Sequence, residues 1–394
     1  MFHFGAGLLL RALEGDFPMF ERLRWGAICG LALLIGAPAG AVDLGEKISI
    51  HGYGGWAAGS SNSYTYLQGD ERSDPETHNA VAALHFDFTP TDKIRFTVVP
   101  VWDVSDAEES VDLDVAAVTW DVADRTKLHF GRSRLPFGIY TDIFDIGTLR
   151  PLFNLAQSVY GPTGLITEFY DGIGSSGTLF SAGGWEGSYD VYGGGASFTV
   201  EVPFEQAQEA LPEETEADQV DRLLGGRLVF QTPVDGLAVG LSSYAGKLED
   251  ADPRRDDWGD FASYDAHVEF DRTPWLVRAE IARHREDLFD TDAGYVEVSR
   301  RFGPHWQGAL RTDRVRAKFV DPLPDSFDSL QRHDELSLGV SYWYNENLVL
   351  RGSYHRVDGN LFAHPNAEAL AEAVASEQLD ERTDLLLFGV QFSF

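Results

Sequence analysis

A two-residue alternation of apolar and polar side chains, sustained for about ten residues and begun again after each turn, runs through most of this chain. Asn79 to Phe88 places Ala80, Ala82, Leu84, Phe86 and Phe88 on one face and His85 and Asp87 on the other. Beyond the turn Thr89-Pro-Thr-Asp-Lys93, Ile94, Phe96, Val98, Pro100 and Trp102 share a face opposite Arg95. Leu224 to Phe230 alternates against Arg227, Trp275 to Ile281 against Arg278 and Glu280, Trp306 to Leu310 against Arg311, and Leu348 to Tyr354 against Arg351. Successive side chains of a strand point to opposite faces, so each stretch reads as a two-faced strand with one apolar side.

The connections alternate as well. Short turns rich in Pro, Gly, Asn or Asp (Thr89 to Lys93, Ala123 to Lys127, Thr232 to Gly236, Asp271 to Pro274, Gly303 to His305, Asn345 to Asn347) take turns with long acidic segments. Asp103 to Asp114 has six acids and no base, and Glu201 to Asp221 has eight acids and no base. Leu248 to Asp260, Asp321 to Glu335 and Asn360 to Asp384 are acid-rich too.

At the front, Arg22 and Arg24 lead into the apolar run Trp25 to Ala37 and the small residues Ala39-Gly40-Ala41, the layout of an export signal. The expected division is a leader over 1–41, its start at Met1 or at Met19, and one domain over 42–394. Cys29 is the only cysteine and lies in the leader, so the exported part is expected to have no disulfide. Acids and bases of the leader cancel, which leaves the formal charge of −32 to residues 42–394 and argues against a nucleic-acid partner.

No window after Ala41 approaches the ~20 apolar residues of a spanning helix. A closed β-barrel is the other structure that satisfies every backbone polar group in hydrocarbon. The expected fold is therefore all-β, a transmembrane antiparallel barrel of about sixteen strands, with fourteen and eighteen as alternatives. Its apolar faces meet lipid. The last strand, with Leu386, Phe388, Val390, Phe392 and Phe394 on one face, closes against Lys47 to Ala58 and removes the free edge. Trp102, Trp258, Trp275, Trp306 and Tyr342 to Tyr344 stand beside strand ends, where an interfacial girdle belongs.

One segment breaks the scheme. From Gly131 to Tyr170 the chain runs about forty residues, far beyond an ordinary loop, with many Leu, Ile, Phe and Tyr and few charges. Such a loop is expected to pack against the inner wall and narrow the lumen. Gly131-Arg132 after a strand, then "LPFG" (Leu135 to Gly138), Asp142, Asp145, "RP" (Arg150-Pro151), "VYGP" (Val159 to Pro162) and the Gly-rich strand Asp171 to Thr178 together resemble the third-loop region of Gram-negative porins of the general and phosphate-selective, sixteen-stranded kind. The resemblance implies an outer-membrane location, contact with lipid and lipopolysaccharide, a homotrimer, and recognition of the C-terminal strand ending in Phe394 by the barrel assembly machinery. The lysine cluster of the phosphate-selective branch has no counterpart, since the five lysines stand mostly at turns or strand ends.

With the apolar faces on lipid, Arg95, Arg227, Arg278, Arg311 and Arg351 point inward and, with Arg132, Arg134, Arg150, Asp142 and Asp145 of the long loop, are the candidate pore-lining and constriction residues. They form either a cationic stripe or an ion-paired wall with inward acids such as Asp87, Asp112, Asp114, Glu269 and Glu280. The expected function is passive diffusion of small hydrophilic solutes or ions. An anion channel and a lipid or peptide hydrolase are the alternatives, although no nucleophile, base and orienter assemble in the sequence and no cofactor is implied. Glu213, Glu214, Glu216 and Asp218 could gather a divalent cation but lack regular ligand spacing. Pro365 to Glu377 has the spacing of a short amphipathic helix.

Overall fold

The computed structural model describes residues 42–64, 66–67, 69–71, 79–104, 109–161, 165, 167–197, 219–248, 261–286, 289–319, 325–363 and 379–394. The leader, the Glu213 to Asp218 cluster, Trp258 and the Pro365 to Glu377 segment lie outside the described residues.

Eighteen segments pair into one sheet. Two of them, Val42–Asp43 and Gly69–Glu71, have only 2 and 3 residues and flank the first long strand. The other sixteen form the wall: β1 Ile48–Ser61, β2 Asn79–Thr91, β3 Ile94–Val104, β4 Glu109–Ala123, β5 Thr126–Arg134, β6 Phe169–Ala182, β7 Trp185–Ser197, β8 Gln219–Gln231, β9 Leu237–Leu248, β10 Phe261–Arg272, β11 Trp275–Glu286, β12 Phe289–Phe302, β13 Trp306–Phe319, β14 Arg332–Asn345, β15 Leu348–Asp358 and β16 Arg382–Ser393. Each pairs antiparallel with its neighbours in sequence, and β16 pairs with β1 from Leu385↔Ser61 to Ser393↔Tyr53. The barrel is closed, so no long strand presents an open edge.

The two ends differ. Connections from even-numbered strands are tight; between β6 and β7 Gly183 and Gly184 have φ of +62° and +80°, the left-handed pair that a two-residue hairpin with the right twist requires. Connections from odd-numbered strands include the long ones, as the sequence led one to expect. One expected long segment shrinks: β3 extends to Val104 and β4 begins at Glu109, so Asp103, Asp112 and Asp114 belong to the wall. The long apolar segment shortens similarly to 135–168, because Gly131 to Arg134 complete β5 and Phe169 opens β6.

The faces separate as alternation demands. Val111, Ile173, Ile281, Val340, Leu386 and Phe388 project outward, each more than half exposed. Trp120, Trp185, Trp275, Trp306 and Tyr344 sit next to the tight turns with outward rings, an aromatic belt at that end. A charge placed amid the apolar band would be stranded in hydrocarbon. Leu338→Arg, at the middle of β14, is expected to cost ~2–4 kcal/mol of stability in bilayers, whereas the same change at a tight turn costs ~0–1 kcal/mol. Urea titration of tryptophan fluorescence in lipid vesicles measures both.

Candidate functional site

The described residues of the segment 135–168 pack against the inner faces of the barrel. Its first turn inserts Leu135 and Phe137, both fully buried, among Tyr170, Tyr192, Leu223, Tyr244 and Phe261 of β6 to β10. Gly138 follows with φ +63°, and a Cβ there would lie 2.4 Å from Glu280 Oε1 and 2.6 Å from the Tyr160 hydroxyl, so any larger residue must displace that bonded pair and strain the backbone. The Gly138 amide donates to Ser242 Oγ at 2.9 Å and the Ile139 amide to Glu280 Oε1 at 2.7 Å. Tyr160, at the end of the one-turn helix Gln157–Tyr160, donates to Glu280 at 2.7 Å and accepts from the Ile139 and Tyr140 amides at 3.0 and 2.9 Å. Tyr140 in turn donates to Glu297 of β12. Two buried carboxylates on the wall thus hold two loop tyrosines.

Three arginines hold the next stretch by its carbonyl groups. Arg351 of β15 donates to the Gly147 carbonyl at 2.6 Å and to the Arg150 carbonyl. Arg278 of β11 reaches the Leu149 carbonyl at 3.5 Å, and Arg311 of β13 the Asn154 carbonyl at 2.7 Å. Ser341 and Gln391 add bonds to the Pro151 and Phe153 carbonyls. Alternate strands β11, β13 and β15 therefore supply a row of guanidinium forks that ends on loop backbone. Hydrogen bonds to a charged donor contribute about 1.5–3 kcal/mol each.

On the other side the polarity reverses, and loop carboxylates meet wall arginines. Asp145 pairs with Arg134, which also contacts Asp114 at 3.2 Å. Asp142 pairs with Arg227 at 2.7 Å, and Arg227 bonds Asp190 of β7 at 3.1 Å. A β-bulge makes the first arrangement possible: Val99 pairs with Val115 but Pro100 with Leu113, so Asp114 is the extra residue and its carboxylate turns inward toward Arg134. Burial, and then the neighbouring Asp145, push the loop carboxyl of Glu168 up to about 8, so it keeps its proton at neutral pH.

A cavity of about 350 Å³ remains between the loop and the inner faces of β1 to β7. Tyr53, His85, His129, Asp142, Asp145 and Asp190 are among the residues on its wall.

This architecture has counterparts among solved structures. OmpF of Salmonella typhi, in complex with daunomycin, aligns over 90% of this chain and 100% of its own with a TM-score of 0.59 and 14% identity. DcaP, an outer membrane channel of Acinetobacter baumannii, aligns over 91% and 99% with a TM-score of 0.55 and 10% identity. An anion-selective porin from Comamonas acidovorans aligns over 88% and 99% with a TM-score of 0.54 and 10% identity. The chain has the porin fold. No protein-family model and no curated protein matches the sequence.

Within this porin fold the expected constriction residues take different positions. Arg134, Arg227, Asp142 and Asp145 converge at the cavity. Arg278, Arg311 and Arg351 do point inward, but they are only 7%, 1% and 2% exposed and lie beneath the loop. The alternative of a free cationic stripe fails for these three because backbone carbonyls and carboxylates surround their guanidinium groups. Arg150 is itself part of the loop and partly buried, its carbonyl accepting from Arg351. Arg95 shares the inward face of β3 with Thr97 and Val99 and is exposed. Arg132 departs from expectation: it pairs with Asp171 at 3.3 Å on the strand face of Phe130 and Ile173, which is the outward one.

Sequence reasoning missed Tyr53, Asp190, Tyr140 and Tyr160. Asp190 was within reach, since it stands out of phase with the outward Trp185 and Val191. The tyrosines gave no signal, because their roles depend on contacts 92 to 157 residues away.

Proposed function

We propose that this chain forms a water-filled channel across the outer membrane of a Gram-negative bacterium, through which small hydrophilic solutes and ions diffuse passively with a preference for cations. One observation carries the reading. Beside the cavity two guanidinium groups, Arg134 and Arg227, are each held between two carboxylates, Asp114 with Asp145 and Asp142 with Asp190. Four acids against two bases leave this side of the lumen negative, and acidic linings select cations. Arg278, Arg311 and Arg351, inward arginines that would favour an anion channel, are occupied under the loop, and Arg95 stays exposed on β3.

The outer membrane channel and the porin among the fold neighbours support transport over the hydrolase alternative. The outward apolar band would contact lipid and lipopolysaccharide, the strand ending in Phe394 would be read by the barrel assembly machinery, and assembly as a homotrimer is the arrangement carried by the resemblance. The trimer form of OmpT from Vibrio cholerae, with a TM-score of 0.53, is consistent with it.

Reversal potentials in a potassium chloride gradient test the preference. The wild type is expected to reverse on the cation side, and Asp142→Asn with Asp190→Asn to move the potential toward zero. An anion-side reversal in the wild type would overturn the reading.

A further inference from the structure

Near the end of the barrel where the long connections lie, β13, β14 and β15 bring Asp313, His333, Glu335 and His355 to one place on the inner wall. Asp313 and Glu335 are direct partners across β13 and β14, and His333 lies two residues from Glu335 on the same face. The four side chains are buried, at 2%, 0%, 3% and 0% exposed. Ligand atoms of Asp313, His333 and Glu335 lie within 4.8 Å of one another, with His333 Nε2 3.2 Å from Glu335 and 3.5 Å from Asp313. His355 Nδ1 stands 2.7 Å from the other oxygen of Glu335.

Two features set this group apart from an ordinary ion-paired wall. Neither carboxylate oxygen of Asp313 has a hydrogen-bond partner, nor has His333 Nδ1. Glu297, Asp313 and Glu335 also surround Arg311 at 3.6, 3.8 and 3.5 Å, three buried carboxylates against one guanidinium, so the group balances only with two further positive charges, from protons on the imidazoles or from a dication. Buried charge without compensation costs several kcal/mol per ion. Among the described residues a second trio, Asp265, His267 and Glu280, has comparable spacing, but there Asp265 Oδ1 already bonds Ser242 and His267.

We propose that Asp313, His333 and Glu335 form a binding site for one divalent transition-metal ion, zinc being the natural probe, with His355 holding Glu335 by its other oxygen. An imidazole with two carboxylates suits a borderline cation, while calcium and magnesium prefer oxygen donors alone. The ion supplies the two positive charges that the cluster lacks. It takes the place of the proton between His333 Nε2 and Glu335, which leaves as the site fills. Tyr66, whose hydroxyl donates to Glu335, and Phe362, whose ring lies 4.9 Å from His333, cover the group on the loop side. Ser337, also bonded to Glu335, and Arg311 complete its polar surroundings.

The test uses the full-length, untagged protein folded in detergent, stripped with a chelator, dialysed against zinc and assayed by elemental mass spectrometry. One zinc per chain is expected for the wild type and for His85→Ala, a histidine outside the cluster. Asp313→Asn and His333→Gln are expected to lose it, each first shown to be folded by its heat-modifiable gel mobility. Zinc should also raise the thermal midpoint of the wild type and leave that of Asp313→Asn unmoved. A wild type without zinc above background would overturn the proposal and assign the cluster's charge balance to two protonated imidazoles. Equal zinc in folded Asp313→Asn would overturn it as well.

Discussion

Arg311→Ala is expected to destabilise the folded barrel by about 3–5 kcal/mol, the cost of removing one partner from a buried charge network. The side chain is 1% exposed and stands among Glu297, Asp313 and Glu335. Its removal leaves three carboxylates facing one another in a dry part of the wall. It also releases the Asn154 carbonyl, the farthest backbone point along the loop held by the arginine row. Two readouts should therefore move together: a lower midpoint for heat- or urea-induced unfolding in detergent, and noisier single-channel current from a less tightly held loop. Arg311→Lys keeps the charge without the planar fork and should fall between. A variant as stable as the wild type would show that the carboxylates are neutralised by other means.

The wall was legible in the sequence because it obeys a rule of period two that every strand repeats. Phe86, Ile281, Leu338 and Phe388 announce the outward face, and once that face is fixed Arg278, Arg311 and Arg351 must be inward. Direction, however, does not determine what an inward group touches. Whether Arg351 meets water or the Gly147 carbonyl depends on how a segment two hundred positions earlier folds back. The phase rule also breaks where the backbone does. Asp114 reaches Arg134 through a bulge, and Arg132 keeps strand phase to lie outward while Arg134, at the strand end, reaches the loop acids. The segment 135–168 was recognised as an inserted loop from its apolar composition, whereas its mode of attachment required the register of β9 to β16. The Asp313, His333, Glu335 and His355 group shows the same limit, since its members come from three strands and match no contiguous metal spacing.

The second large effect concerns the loop itself. Removing Leu135 to Tyr160 takes away Leu135, Phe137, Tyr140, Leu152, Leu155 and Val159, all of them buried, together with the carbonyls that occupy the arginine row. The strands on either side, β5 and β6, remain paired from Thr126↔Gly177 to Arg134↔Phe169 and can still hold the wall closed. Freed Arg278, Arg311 and Arg351 would then face lumen water, so the same deletion should also shift the reversal potential toward anions. A stable barrel with a wider lumen and an altered ionic preference is the expected product.

Single-channel conductance in planar bilayers, wild type against the Leu135 to Tyr160 deletion, therefore bears most directly on the claim that this barrel conducts and that its inserted loop limits the flow. The account predicts discrete wild-type openings and clearly larger ones after deletion. Equal conductances, or a wild type that passes no current while its deletion variant is equally silent, would contradict it.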